Sequence, residues 1–112
     1  MGYDVHITRA ADWSENAGHE ITAAEWMAVV RADGELVPDP KLGPYAVRWS
    51  KTAWIDWFDG NVFTTDPDRA TVGKLLEIAQ RLSAAVQGDD GEFYENARDW
   101  PQARRTGAQR TE

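Results

Sequence analysis

Ala53-Trp54-Ile55-Asp56-Trp57-Phe58-Asp59-Gly60-Asn61-Val62-Phe63-Thr64-Thr65 lays out a β-hairpin. Two runs rich in aromatic and β-branched residues flank Asp59-Gly60-Asn61. Such a step is a strong short-range turn signal, because glycine and asparagine tolerate the positive φ that a tight hairpin needs. Residues 53–59 and 61–65 are therefore predicted as antiparallel strands. Successive residues of a strand face opposite ways, so Trp54, Asp56 and Phe58 share one face while Ile55, Trp57 and Asp59 share the other. Bulky rings then stand on both sides of the sheet. The chain has six tryptophans in 112 residues, and Trp49, Trp54 and Trp57 crowd into one short stretch. Tryptophan combines a large apolar body with one N–H that needs an acceptor, so this density makes either a heavily anchored core or a contact surface.

Upstream of the hairpin, residues 45–49 alternate, as do residues 3–9, where Tyr3, Val5 and Ile7 oppose Asp4, His6 and Thr8. The polar stretch 10–20 reads as a loop. Thr22-Ala23-Ala24-Glu25 forms a capping box, with Ile21 and Trp26 closing over it as a hydrophobic staple. The helix so begun carries the stripe Ala23, Trp26, Met27 and Val30 and stops at Asp33-Gly34. Residues 36–44 hold three prolines and a glycine and are expected to be irregular. Downstream, Asp66 is predicted as an N-cap with Pro67 at the first helical position. Val72, Leu75, Ala79, Leu82 and Val86 recur at helical spacing, Leu76 and Ile78 widen the stripe, and Glu77 and Arg81 make an i,i+4 pair. Gly73 inside this helix implies a close neighbour. A last short strand is expected at 84–88, with a turn at Asp89-Asp90-Gly91 before Glu92-Phe93-Tyr94.

This order predicts an α+β domain: a mainly antiparallel sheet of four to five strands with two helices on one face, a ferredoxin-like βαββαβ variant. The domain is expected to span residues 1–95, followed by a flexible arginine-rich tail, 96–112, anchored only by Trp100-Pro101. The net charge is −7, and the tail arginines Arg98, Arg104, Arg105 and Arg110 outweigh Asp99 and Glu112 by two, leaving −9 on residues 1–95. An acidic body repels phosphate backbones, which argues against a nucleic-acid partner and suits a basic protein. With no cysteine there is no disulfide framework and no thiolate metal site. The opening residues lack the basic start and apolar run of a signal peptide, and no stretch reaches membrane-spanning length, so the expected location is cytoplasmic, away from membranes.

Chemistry-bearing motifs are sparse. His6 and His19 are the two histidines. Asp4 and His6 share a strand face and could begin a metal site with the carboxylates Asp89, Asp90 and Glu92, although no paired histidine spacing supports it. A tight acidic turn is the simpler reading of 89–92. Ser14, Ser50 and Ser83 lie in no nucleophile-elbow frame, and no glycine-rich loop precedes a helix to hold phosphate. No cofactor and no enzymatic activity are expected. The aromatic hairpin is the remaining candidate, with Trp49, Trp54, Asp56, Trp57, Phe58 and Asp59 as partner-binding residues. Because Trp54 and Trp57 face opposite ways, at most one of them can lie on an open face.

Tyr3-Asp4 with Ile7-Thr8-Arg9-Ala10, Ile21 with Glu25-Trp26, Trp57-Phe58 with Gly60-Asn61, Pro67-Asp68, and Val86-Gln87-Gly88-Asp89-Asp90-Gly91-Glu92 with Tyr94 resemble a family of small uncharacterised bacterial proteins. The resemblance spans about residues 3–95 and departs from the family pattern at the short, proline-containing segment 36–44. Its motifs transfer no catalytic residue. Small acidic bacterial proteins of this kind are similar to immunity proteins, which neutralise a toxin by binding it. The expectation is thus a non-enzymatic protein-binding domain whose partner is a basic toxin domain; a small-ligand or metal-binding protein and a structural homodimer are the alternatives.

Overall fold

The computed structural model describes residues 2–100. Ten elements follow one another: β1 (Asp4–Thr8), α1 (Ala23–Ala32), β2 (Val37–Pro38), β3 (Val47–Trp49), β4 (Ala53–Phe58), β5 (Asn61–Thr65), α2 (Arg69–Arg81), β6 (Ala85–Gly88), β7 (Phe93–Tyr94) and a 3₁₀ turn at Ala97–Asp99. The strands make one antiparallel sheet in the order β2-β3-β4-β5-β1-β6-β7. The fold is α+β, with seven strands rather than the expected four to five. The extra members are β2, which pairs Val37 and Pro38 with β3, and β7, which pairs Phe93 and Tyr94 with β6. Segment 36–44 is therefore not wholly irregular.

The hairpin forms where it was expected. Phe58 pairs with Asn61 across a two-residue turn in which Asp59 (φ 51°) and Gly60 (φ 88°) both take positive φ, the backbone of a type I′ turn. Asparagine is thus not a turn residue here; Asn61 begins the return strand. Alternation sorts the sheet into two faces. Val5, Ile7, Val47, Ile55, Val62 and Val86 lie on one, fully buried, and join Trp26, Val29 and Val30 of α1 and Val72, Leu75, Ile78 and Ala79 of α2 in a single core. Both helices therefore cover the same face.

The cap of α1 has the expected capping box. The Glu25 N–H donates to Thr22 Oγ1 at 3.0 Å and the Thr22 N–H to Glu25 Oε1 at 3.0 Å. Ile21 and Trp26, the staple pair, are completely buried. The start of α2 differs from expectation: its N-cap is Asp68, whose Oδ1 accepts from the Thr71 N–H at 2.8 Å. Asp66 instead closes the end of the β1–β5 ladder, with Oδ1 accepting from the Tyr3 N–H at 2.8 Å. Val86, placed on the α2 stripe, belongs to β6, because the helix ends at Arg81 and Ser83 turns the chain with φ 53°. A Cβ on Gly73 would sit 3.6 Å from the Ala97 Cβ, so the neighbour it implied is the 3₁₀ turn.

Residues 96–100, assigned to the tail, pack on the body. Trp100 is 5% exposed, with its ring 5.9 Å from Tyr3 and 5.7 Å from Tyr94. The arginine-rich stretch 101–112 lies outside the described residues.

Candidate functional site

The face of the sheet turned away from the helices carries His6, Trp54, Asp56, Phe58, Phe63, Gln87 and Phe93, since each alternates with a core residue. Register aligns Gln87, His6, Phe63 and Asp56 as neighbours across four strands. Part of this face is roofed by the loop between β1 and α1. Trp13 stacks on His6 with ring centroids 3.8 Å apart and planes within 8°. Its backbone N–H donates to Gln87 Oε1 at 2.7 Å, its indole N–H to the Asp89 carbonyl at 3.3 Å, and its carbonyl accepts from Asn61 Nδ2 at 2.8 Å. The hairpin holds the same loop from the other side: the Asp59 carbonyl accepts from Asn16 Nδ2 and the Gly60 carbonyl from the Ile21 N–H, both at 2.8 Å.

Between the roof and the hairpin a pocket of about 260 Å³ opens. Its floor is Asp4, His6 and Phe63, Trp13 and Phe58 stand at its sides, and Ser14, Asn16, Asp59 and Asn61 complete it. Phe58 is 71% exposed. Asn61 is 7% exposed, and its Oδ1 has no hydrogen-bond partner among the described residues.

The expected partner-binding residues divide by strand parity. Trp54, Asp56 and Phe58 lie on the open face, and Trp54 meets Phe63 edge-on at 5.5 Å. Trp49 and Trp57 lie on the helix side and pack against the core. The Trp57 indole donates to the Ile21 carbonyl at 2.8 Å and its ring abuts Tyr45; the Trp49 indole reaches Glu35 at 3.4 Å. Asp59 sits in the turn at the pocket mouth. Trp13, His6, Asn61 and Phe63 join the site without having been singled out for recognition. Alternation already put His6 on the polar face of its strand, whereas nothing local in the loop announces where Trp13 lands.

The carboxylate set considered for a metal is split. Asp4, His6 and Asp89 have ligand atoms within 4.8 Å of one another. Asp90 and Glu92 are not in this group; Glu92 Oε2 accepts from the hydroxyls of Tyr3 at 2.6 Å and Tyr94. Burial, and next the Glu92 carboxylate, push the Tyr3 phenol upward. Within the trio, His6 Nε2 donates to Asp89 Oδ1 at 2.8 Å, Asp89 Oδ2 accepts from the Asp4 N–H at 2.8 Å, and Asp4 Oδ1 accepts from the Thr65 hydroxyl at 2.6 Å. Four side-chain atoms of the trio are thus engaged in hydrogen bonds, and a metal held by His6 Nε2 would have to break the His6–Asp89 bond to enter. A second acidic group, Asp33, Glu35 and Glu77, is filled by the Lys74 ammonium at 2.7, 2.7 and 3.1 Å.

Comparison with known proteins finds no matching family model, no similar curated protein and no similar solved structure. Among the described residues no helix is long and apolar enough to cross a membrane.

Proposed function

We propose that this chain is a non-enzymatic, cytoplasmic binding domain that captures a basic protein through the open face of its sheet, in the manner of an immunity protein holding a toxin domain. The observation that carries the reading is Phe58: a phenylalanine 71% exposed at the mouth of a formed pocket, on the one face that the helices leave uncovered. Exposed aromatic residues beside a pocket are favoured anchors at interfaces. The charge of −7 supports a basic partner, by steering its approach and by disfavouring acidic competitors. Trp54 and Asp56 extend the contact along β4, while Trp49 and Trp57 serve the fold. The inner strands β6-β1-β5-β4, with a helix in each crossover, support a ferredoxin-like core to which β2, β3 and β7 are edge additions.

Fluorescence anisotropy with labelled lysine- and arginine-rich peptides, against acidic peptides of equal length, tests this reading. Basic peptides are expected to bind saturably. Phe58→Ala should weaken them at least tenfold, an interface anchor being worth about 2 kcal/mol, with the unfolding midpoint unchanged. Equal binding of both peptide sets, or an unaffected Phe58→Ala variant, overturns it. A second reading, divalent-metal binding, is favoured by the proximity of Asp4, His6 and Asp89. Zinc titration followed on the His6 ring signals checks it: a saturable shift supports the metal reading and its absence ends it.

A further inference from the structure

We infer that the pocket between Trp13 and Phe58 is a cation subsite that receives one arginine side chain of the partner, gripping the guanidinium by carboxylates and by stacking. The inference rests on the binding reading above and names the group that enters.

The hydrogen-bond inventory of the wall is one-sided. Its side-chain donors are turned into the protein: Asn61 Nδ2 to the Trp13 carbonyl, Asn16 Nδ2 to the Asp59 carbonyl, the Trp13 indole to the Asp89 carbonyl, and the Ser14 hydroxyl to Asp12. His6 spends Nε2 on Asp89. What remains unspent is acceptor capacity. The Asp59 carboxylate has no hydrogen bond among the described residues, one oxygen of Asp4 is free beside the Thr65 bond, and Asn61 Oδ1 is orphaned in a side chain nine-tenths buried. The Trp13 carbonyl fixes which end of the Asn61 amide is nitrogen, so the orphan is an acceptor and calls for a donor. A buried polar group left unpaired is destabilising, and an entering N–H would relieve it.

Shape and charge select among donors. No lysine or arginine lines the pocket, while two carboxylates do. Three aromatic residues, Trp13, Phe58 and Phe63, line it, and aromatic rings attract cations to their faces. A guanidinium is planar, carries five N–H groups in a fixed fork and stacks on rings, whereas an ammonium is a compact, strongly hydrated point charge. The volume of about 260 Å³ lies below the roughly 300 Å³ at which drug-sized sites begin, and so suits a side chain better than a cofactor.

The test is an NMR titration of the ¹⁵N-labelled protein with Nα-acetyl-arginine amide, alongside the citrulline analogue, which keeps the shape and loses the charge, and zinc chloride. Saturable shifts are expected at the Trp13 indole N–H, the Asn61 side-chain amide and the Asp59 backbone with the arginine compound, and at least tenfold weaker ones with citrulline. Asp59→Asn should weaken the arginine compound at least fivefold, and Glu95→Gln, an exposed carboxylate outside the pocket, should leave it unchanged. Equal response to arginine and citrulline, shifts with zinc alone, or shifts confined to residues outside the pocket overturn the subsite. If these fail while labelled basic peptides still bind through Phe58, the subsite falls and the binding reading stands; if both fail, the binding reading falls with it.

Discussion

Gly60 shows how one residue ties turn geometry to the site. Its φ of 88° is open to glycine, and a Cβ there would come within 2.7 Å of the Asn16 side-chain nitrogen and 2.8 Å of Glu20 Cγ. Gly60→Ala should therefore cost about 2 kcal/mol in urea unfolding, combining a disfavoured φ with displaced loop side chains, and should loosen the Trp13 roof. Lys74 makes a different argument. Burial works against its charge, but the bonds to Asp33, Glu35 and Glu77 outweigh that and push its ammonium upward. Asp33, which also accepts from Arg81 at 3.0 Å, is the buried partner. Asp33→Ala is expected to destabilise by about 3 kcal/mol, since it removes the buried partner and leaves the buried Lys74 ammonium to the exposed carboxylates of Glu35 and Glu77, whereas Lys74→Met with Asp33→Ala together should recover most of the loss. At this scale strand parity was legible: it separated Trp54 from Trp57. Which of the two faces the helices would cover was not, because rings of similar size stand on both.

Elements differ in how much of their cause is local. The α1 cap was readable because Thr22, Glu25, Ile21 and Trp26 lie within six residues and satisfy one another. The same Glu25 also takes Arg9 in a two-pronged pair, Nη1 to Oε1 at 3.0 Å and Nη2 to Oε2 at 2.8 Å, which ties the helix start to the end of β1. The Arg9 guanidinium first, then the Thr22 N–H, hold the Glu25 carboxyl down at about 2, from an ordinary 4.5. A carboxyl depressed in the folded state contributes stability that is fully present above its unfolded value and lost as pH falls toward the folded one. The contribution should thus fade from pH 4.5 to about 2. Comparing urea midpoints of the wild type and Glu25→Gln across this window checks it: their difference is expected to shrink on acidification. The two-residue strands β2 and β7 were illegible for the opposite reason. Each exists only by pairing with a neighbour, and Pro38 argued locally against a strand. The start of α2 moved by two residues because Asp66 and Asp68 are equally good caps in isolation, and the tertiary bond from the Tyr3 N–H claims Asp66.

For the whole molecule, the charge pattern and the chain end both act at a distance. Association with a basic partner is expected to slow as ionic strength rises, since exposed charges are screened beyond about 10 Å at 0.1 M salt; stopped-flow mixing at two salt concentrations measures this, with dissociation changing far less. Residues 96–100 add to the core. Composition made residues after 95 look like loose tail, because they are polar and aperiodic; yet Trp100 closes over Tyr3 and Tyr94, and its carbonyl accepts from Arg69 Nε at 2.9 Å. One buried tryptophan thus adds cover to the opposite end of the sequence, where β1, an inner strand, begins. Trp100→Ala should cost about 3 kcal/mol, in the range for emptying a buried aromatic site. It should also uncover the Tyr3 phenol, whose elevation burial largely causes, so that Tyr3 titrates at lower pH in a tyrosine absorbance titration. A variant that loses stability without moving the Tyr3 titration would show Trp100 packing elsewhere on the core. Because the pocket lies on the other face of the sheet, its Trp13 indole signal should remain unchanged while the variant stays folded, keeping the stability of the chain end separate from recognition at Phe58.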